Sequence, residues 1–150
     1  MKKRVLFSAL IMLSSFPVVA ESQWGLGAGQ PYGGLLGIKY SVNTDLYKFY
    51  GSVGILGYVS GGGGELGYAV GVDRQIVNRH HSLGISVGTV SYSSQDEYLG
   101  GAVNYSYYTA GVHNKSWIFG ASVYSGERDV DSRLYDDQES GISGIIGYQF

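Results

Sequence analysis

The side chains that could do chemistry in this chain are few and scattered. His80, His81 and Ser82 stand in sequence, and His113 lies far along the chain. A serine nucleophile needs a base within hydrogen-bond reach and a third group to orient that base. Two adjacent histidines and a distant third match no standard zinc spacing. Cysteine is absent, which removes thiolate nucleophiles, cysteine metal sites and disulfides. Runs such as Gly25-Leu26-Gly27 lack the strand-to-helix setting that a phosphate-binding loop requires. No catalytic, cofactor-binding or metal residue is therefore assigned, and the histidines read as turn residues. A second group is acidic: Glu127, Asp129, Asp131, Asp136 and Asp137, interrupted by Arg128 and Arg133. Its oxygen ligands could hold a divalent cation, but the spacing matches no defined calcium loop, and a solvated charged loop is the expectation.

Which elements position these residues follows from the rest of the chain. Met1 to Arg4 are basic but for the initiator, an apolar stretch follows, and Val18, Val19 and Ala20 precede the polar Glu21 and Ser22. This is the pattern of a secretory signal peptide, residues 1–20, cleaved after Ala20. Ser14, Ser15 and Pro17 leave the apolar run too short for a spanning helix, which needs about 20 residues. The expected mature domain is 21–150. It keeps 7 basic residues against 12 acidic ones, a net charge of −5, which argues against nucleic acid as a partner.

Composition points to an unusual solvent. The chain has 25 glycines and 14 tyrosines but only 15% charged residues, where a water-soluble surface carries roughly 25–35%. No amphipathic helix is evident. Alternation with a period of two recurs instead, which marks strands with two chemically different faces. Strands are predicted near 23–30, 34–42, 46–59, 65–77, 82–92, 98–111, 117–125 and 140–150. In the fourth, Leu66, Tyr68, Val70 and Val72 share one face, opposite Gly67, Ala69, Gly71 and Asp73. A soluble barrel would turn the large apolar face inward and show water a surface of Gly, Ser and Ala. A membrane barrel reverses this, placing apolar residues against lipid and small or polar ones inside. The predicted fold is therefore all-β, a transmembrane antiparallel up-and-down β-barrel of about eight strands.

Connections and aromatics agree with this reading. Short turns fall at Asn43-Thr44-Asp45, Asn78-Arg79-His80 and His113-Asn114-Lys115, on the periplasmic side. The outer connections are 30–33, 60–64, 93–97 and the longer 126–139. Aromatic residues gather at two levels, as interfacial girdles do. One level includes Trp24, Tyr40, Trp117, Tyr148 and Phe150, and the other includes Tyr32, Tyr58, Tyr68, Tyr92 and Tyr124. The inward face gathers Lys39, Lys48, Tyr50, Asp73, Asn104 and Gln149, predicted as a polar cluster that closes the lumen, with the lysines ion-paired to the aspartate.

The last strand, with Ile142, Gly144, Ile146, Tyr148 and terminal Phe150, resembles the carboxy-terminal β-signal of outer-membrane barrel proteins. The whole mature chain resembles, in architecture, the small eight-stranded OmpA/OmpX-type barrels. The resemblance implies recognition of Phe150, Tyr148 and Ile146 by periplasmic chaperones and the barrel-assembly machinery. It also implies a monomer among outer-membrane lipids and lipopolysaccharide. Because a fold does not assign an activity, the expectation is a noncatalytic envelope protein, with a lipid-modifying enzyme and a narrow channel or small-ligand binder as alternatives.

Overall fold

A computed structural model describes residues 21–59, 63–93, 96–128 and 138–150. The strands are β1 (Glu21–Gly29), β2 (Gly34–Asn43), β3 (Tyr47–Val59), β4 (Gly63–Ile76), β5 (His81–Ser93), β6 (Asp96–Tyr108), β7 (Ser116–Arg128) and β8 (Gln138–Gln149). Each pairs antiparallel with the next, and β1 pairs with β8, giving a closed up-and-down barrel of eight strands. The seam runs from Gly25 opposite Gln149 to Ala28 opposite Ile146. Reciprocal backbone bonds extend it by one residue: Phe150 N–H donates to the Trp24 carbonyl at 2.8 Å, and Trp24 N–H to the Phe150 carbonyl at 3.2 Å. One end of the barrel carries Glu21, Phe150 and the connections 44–46, 77–80 and 109–115. This is the terminal end; the opposite rim is the loop end.

Alternation in sequence becomes a division between outside and inside. Val70 is 53% exposed and Val87 59%, and Val53, Ile85, Val103 and Ile146 are exposed beside them. Gly67, Ala69 and Asp73 of β4 and Ser82, Ser86 and Asn104 of the next two strands are turned inward. Near the terminal end the outward rings pack on one another, with Trp24 and Tyr40 centroids 4.9 Å apart and Trp117 and Tyr148 5.3 Å apart.

The loop end departs from the sequence expectation at the first connection. Residues 30–33 do not simply cross the rim, and Tyr32 does not join an outward girdle. The chain forms a one-turn 3-10 helix, Gln30–Tyr32, folded into the lumen, where Tyr32 is fully buried. The cause is local. Gly29 (φ 111°) and Gly33 (φ 73°) adopt backbone conformations that side chains disfavour, and Pro31, second in the turn, has a fixed φ suited to a first helical turn. The turn then lies against a wall stripped of side chains. A Cβ on Gly27 would stand 2.6 Å from the Tyr32 ring, and one on Gly54 2.6 Å from the Tyr32 carbonyl oxygen. Gln30 Nε2 fastens the turn to the Val90 carbonyl at 2.5 Å. The register shift between Thr89 and Ser91 puts Thr89 and Val90 both among the buried residues, breaking the strand's alternation there.

The sixth strand also stops earlier than predicted, at Tyr108, because residues 109–115 form a connection tucked under the barrel. Val112 is buried there, and its N–H donates to the Arg79 carbonyl at 2.8 Å. The acidic stretch starts later than expected, since β7 continues to Arg128 and leaves Glu127 exposed on a strand opposite Gln138. Asp129, Asp131, Asp136 and Asp137, like the signal segment 1–20, lie outside the described residues.

The turn from β4 to β5 holds the one positive φ among the described non-glycine residues: Val77, at 55° and 94% exposed. Asn78 N–H bonds back to the Ile76 carbonyl across it at 2.5 Å. A β-branched side chain in this conformation is strained by about 1–2 kcal/mol. Val77→Gly should therefore raise the unfolding free energy by about 1 kcal/mol, read from the urea midpoint of the folded barrel; an unchanged or lower midpoint would contradict the strain.

Candidate functional site

The lumen collects the ionisable and hydrogen-bonding side chains that the strands turn inward, and they form one layer at the terminal end and another in the middle of the barrel. At the terminal end Lys48, only 1% exposed, donates from Nζ to Gln149 Oε1 and to the Val112 carbonyl, the latter at 3.3 Å. Gln149 Nε2 reaches the Val112 carbonyl at 2.8 Å and the Asn114 carbonyl at 2.5 Å. Asn43 Nδ2 donates to Gln23 Oε1 at 2.8 Å, and Gln23 Nε2 to the His113 carbonyl at 2.6 Å. Side chains of β1, β3 and β8 thereby bind the backbone of the 109–115 connection from several directions, with Asn43 of β2 bracing Gln23, and close this end.

The middle layer is a chain of neutral polar groups. Ser122 Oγ donates to Asn104 Oδ1 at 2.6 Å, and Asn104 Nδ2 donates to Ser86 Oγ at 2.9 Å and to the Tyr50 hydroxyl at 3.3 Å. Tyr50 lies across Gly71, where a Cβ would come within 2.6 Å of its ring. Lys39 reaches between two aromatic faces, its Nζ 4.5 Å from the Tyr32 centroid and 5.1 Å from that of Tyr50. Lys48 stands similarly over Tyr108 at 4.9 Å. A desolvated cation on an aromatic face gains about 2 kcal/mol.

Asp73 is the register partner of Lys48 on the inward face, and its carboxylate leans over Gly84, the only kind of residue that leaves it room. Its charge acts on both Lys39 and Lys48 across the lumen. Asp73 Oδ1 has no hydrogen-bond partner among the described residues; Lys48 is held by two carbonyl oxygens and the Tyr108 ring, Lys39 by the Tyr32 and Tyr50 rings, and the single carboxylate offsets one of the two positive charges. Tyr32, Tyr108, Val112, Ile118 and Ile145 form a buried hydrophobic cluster beside these groups.

All six residues predicted for the lumen cluster, Lys39, Lys48, Tyr50, Asp73, Asn104 and Gln149, are buried inside the barrel. Sequence reasoning missed Tyr32, Val112 and Ile118. The last was legible, since it alternates with outward Trp117 and Phe119. The other two sit in connections, where alternation gives no direction; the Pro31 and Gly33 pair was the available signal for Tyr32.

Among the described residues the histidines do not stand beside Ser82 as a base would. Ser82 points into the lumen, while the ring of neighbouring His81 packs with Tyr105 and Tyr107, its Nδ1 2.7 Å from the Tyr105 hydroxyl. His80 Nδ1 meets the Tyr108 carbonyl at 2.8 Å. His113 lines a polar recess of about 490 Å³ at the terminal end, with Arg79, Glu21 and Asp45. Among the described residues no three His, Asp or Glu side chains gather as a metal site. Comparison with protein-family models, with curated proteins and with solved structures yields no match for this chain.

The Lys48 layer can be tested by removal. Lys48→Met leaves Gln149 Oε1 without its donor and the Val112 carbonyl with Gln149 Nε2 alone, and should lower the unfolding free energy by roughly 1–3 kcal/mol. Adding Asp73→Asn should recover part of that loss, because the two charges are coupled. Identical urea midpoints for the wild type and Lys48→Met would show that this layer contributes nothing.

Proposed function

We propose that the chain is a noncatalytic integral barrel of a Gram-negative outer membrane, exported on residues 1–20. It contributes to envelope integrity and presents a modest surface outside the cell. The observation that carries this reading is the inversion of polarity. The buried set is dominated by Lys39, Lys48, Asp73, Asn104, Gln149 and serines, while Leu, Ile, Val and aromatic side chains stand exposed around the wall. In water such a surface would aggregate; in a bilayer it is the expected arrangement. Closure of the sheet fits the same solvent, because an unpaired edge in hydrocarbon costs several kcal/mol per backbone group.

In this reading the terminal end faces the periplasm and the loop end faces outward. The partners are outer-membrane lipids and lipopolysaccharide, with chaperones and the barrel-assembly machinery engaging the last strand during biogenesis. Ile146, Tyr148 and Phe150 are exposed on that strand, available to such machinery, and Phe150 then completes the seam with Trp24. The lumen supports a sealed scaffold over a channel. The Gln30–Tyr32 turn obstructs it from the loop end and the Val112 connection from the terminal end.

Cell fractionation with heat-modified gel migration tests the location: a folded, faster-migrating species in the outer membrane supports it, and a soluble periplasmic species refutes it. Val87→Lys, at an outward position in the middle of the wall, should cost about 2–4 kcal/mol in lipid vesicles. A cost near zero would mean that this face does not meet hydrocarbon. Finally, the wild type should carry no steady ionic current across a planar bilayer, and a reproducible open level would refute the sealed lumen.

A further inference from the structure

The outward surface is not uniform. On β3, Gly51 takes an outward place between Phe49 and Val53, and a Cβ there would meet only Val70 Cγ1, at 4.0 Å. The missing side chain leaves a groove of about 540 Å³, with Gly51 and Gly71 in its floor and Phe49, Val70, Val72 and Ile85 along its walls. A smaller groove of about 200 Å³ adjoins it toward the terminal end, lined by Tyr47, Val72, Arg74, Leu83 and Ile85. Since Val72 and Ile85 border both, the two form one trough running along the barrel axis.

The trough has a charged end. In the half of the wall nearer the terminal end, Arg74 is the one fully charged side chain among the described outward strand positions. Its guanidinium carbon stands 5.9 Å from the Tyr47 ring centroid, which holds the group at the wall. One outward row further toward the terminal end lie His81 and Tyr107, with ring centroids 5.2 Å apart. Arginine on a lipid-facing wall is unfavourable unless it reaches the interface and finds an anion. Its planar fork suits two oxygens of a phosphate. An apolar trough that ends at such a group fits an amphiphile with an anionic phosphate head and a hydrocarbon tail.

We propose that this trough is a binding site for one glycerophospholipid of the periplasmic leaflet, with its phosphate on Arg74 and one acyl chain laid over Val72 and Gly51. The inference rests on the membrane reading above. The position of Arg74 near the terminal end selects the periplasmic leaflet, and so a phospholipid and not the lipopolysaccharide of the opposite leaflet.

The test separates the two claims. The barrel is first refolded into phosphatidylcholine vesicles and checked for heat-modified migration; failure to insert there overturns the membrane reading and this site together. The inserted protein is then moved to mild detergent, titrated with phosphatidylglycerol and followed by native mass spectrometry. The wild type should retain one phosphatidylglycerol. Arg74→Gln, which removes the phosphate fork, and Gly51→Leu, which fills the trough from outside, should each weaken retention about tenfold. Gly101→Leu, another outward glycine on a different part of the wall, should retain the lipid as the wild type does. Equal retention by all four proteins would overturn the site, leaving only nonspecific lipid contact. A dimer in the wild type that Gly51→Leu abolishes would also overturn it, assigning the groove to a second copy of the chain.

Discussion

The pairing of β1 with β8, extended by the reciprocal Trp24 and Phe150 bonds, leaves the sheet without a free edge. That closure divides every strand into an inward and an outward row, and because the period of a strand is two, the division reaches each residue. Valine at 70 and aspartate at 73 can then share one strand while meeting opposite environments. The seam is also the shortest stretch of pairing in the barrel, so the last residues of the chain carry a disproportionate part of the closure.

A closed barrel of this size has an interior that side chains must fill, and here glycine decides which ones fit. Gly25, Gly27 and Gly147 make a flat bed for the Tyr32 ring, Gly71 does so for Tyr50, and Gly84 admits the Asp73 carboxylate. Large rings opposite missing side chains give a packed interior instead of an open pore. Tyr32 and Tyr50 also shelter Lys39, and Tyr108 shelters Lys48. Removal of two ammonium groups from water would be prohibitive without partners. Ring faces, amide carbonyls and one carboxylate supply them, which ties the electrostatics of the lumen to its packing.

Outside, absence of a side chain has a different consequence. Gly51 faces away from the lumen, so the space it leaves belongs to whatever surrounds the barrel. Together with Arg74 it makes one sector of the wall chemically distinct from the aliphatic belt elsewhere. The interior thus holds the polar and aromatic packing, and this sector carries the lipid site proposed above.

Much of this molecule was legible in its sequence because alternation is a local property. Leu66, Tyr68, Val70 and Val72 opposite Gly67, Ala69, Gly71 and Asp73 specify a two-faced strand without any knowledge of neighbours, and the lumen cluster from Lys39 to Gln149 follows by counting in twos. The Asn-containing turns likewise announce themselves through residues that tolerate turn geometry. Connections obey no such period. Whether Tyr32 lies over the rim or inside depends on glycines at 27, 54 and 147, which come from three other strands and meet only once the barrel has closed. Val112 becomes part of the lumen for the same reason, through Lys48 and Gln149, which are distant in sequence. The trough at Gly51 and Arg74 depends on the register among β3, β4 and β5. Sequence determined which face each strand residue takes, since that is set by the backbone two residues at a time; tertiary structure decided what fills the space between the faces, since that depends on which distant residues lack a side chain.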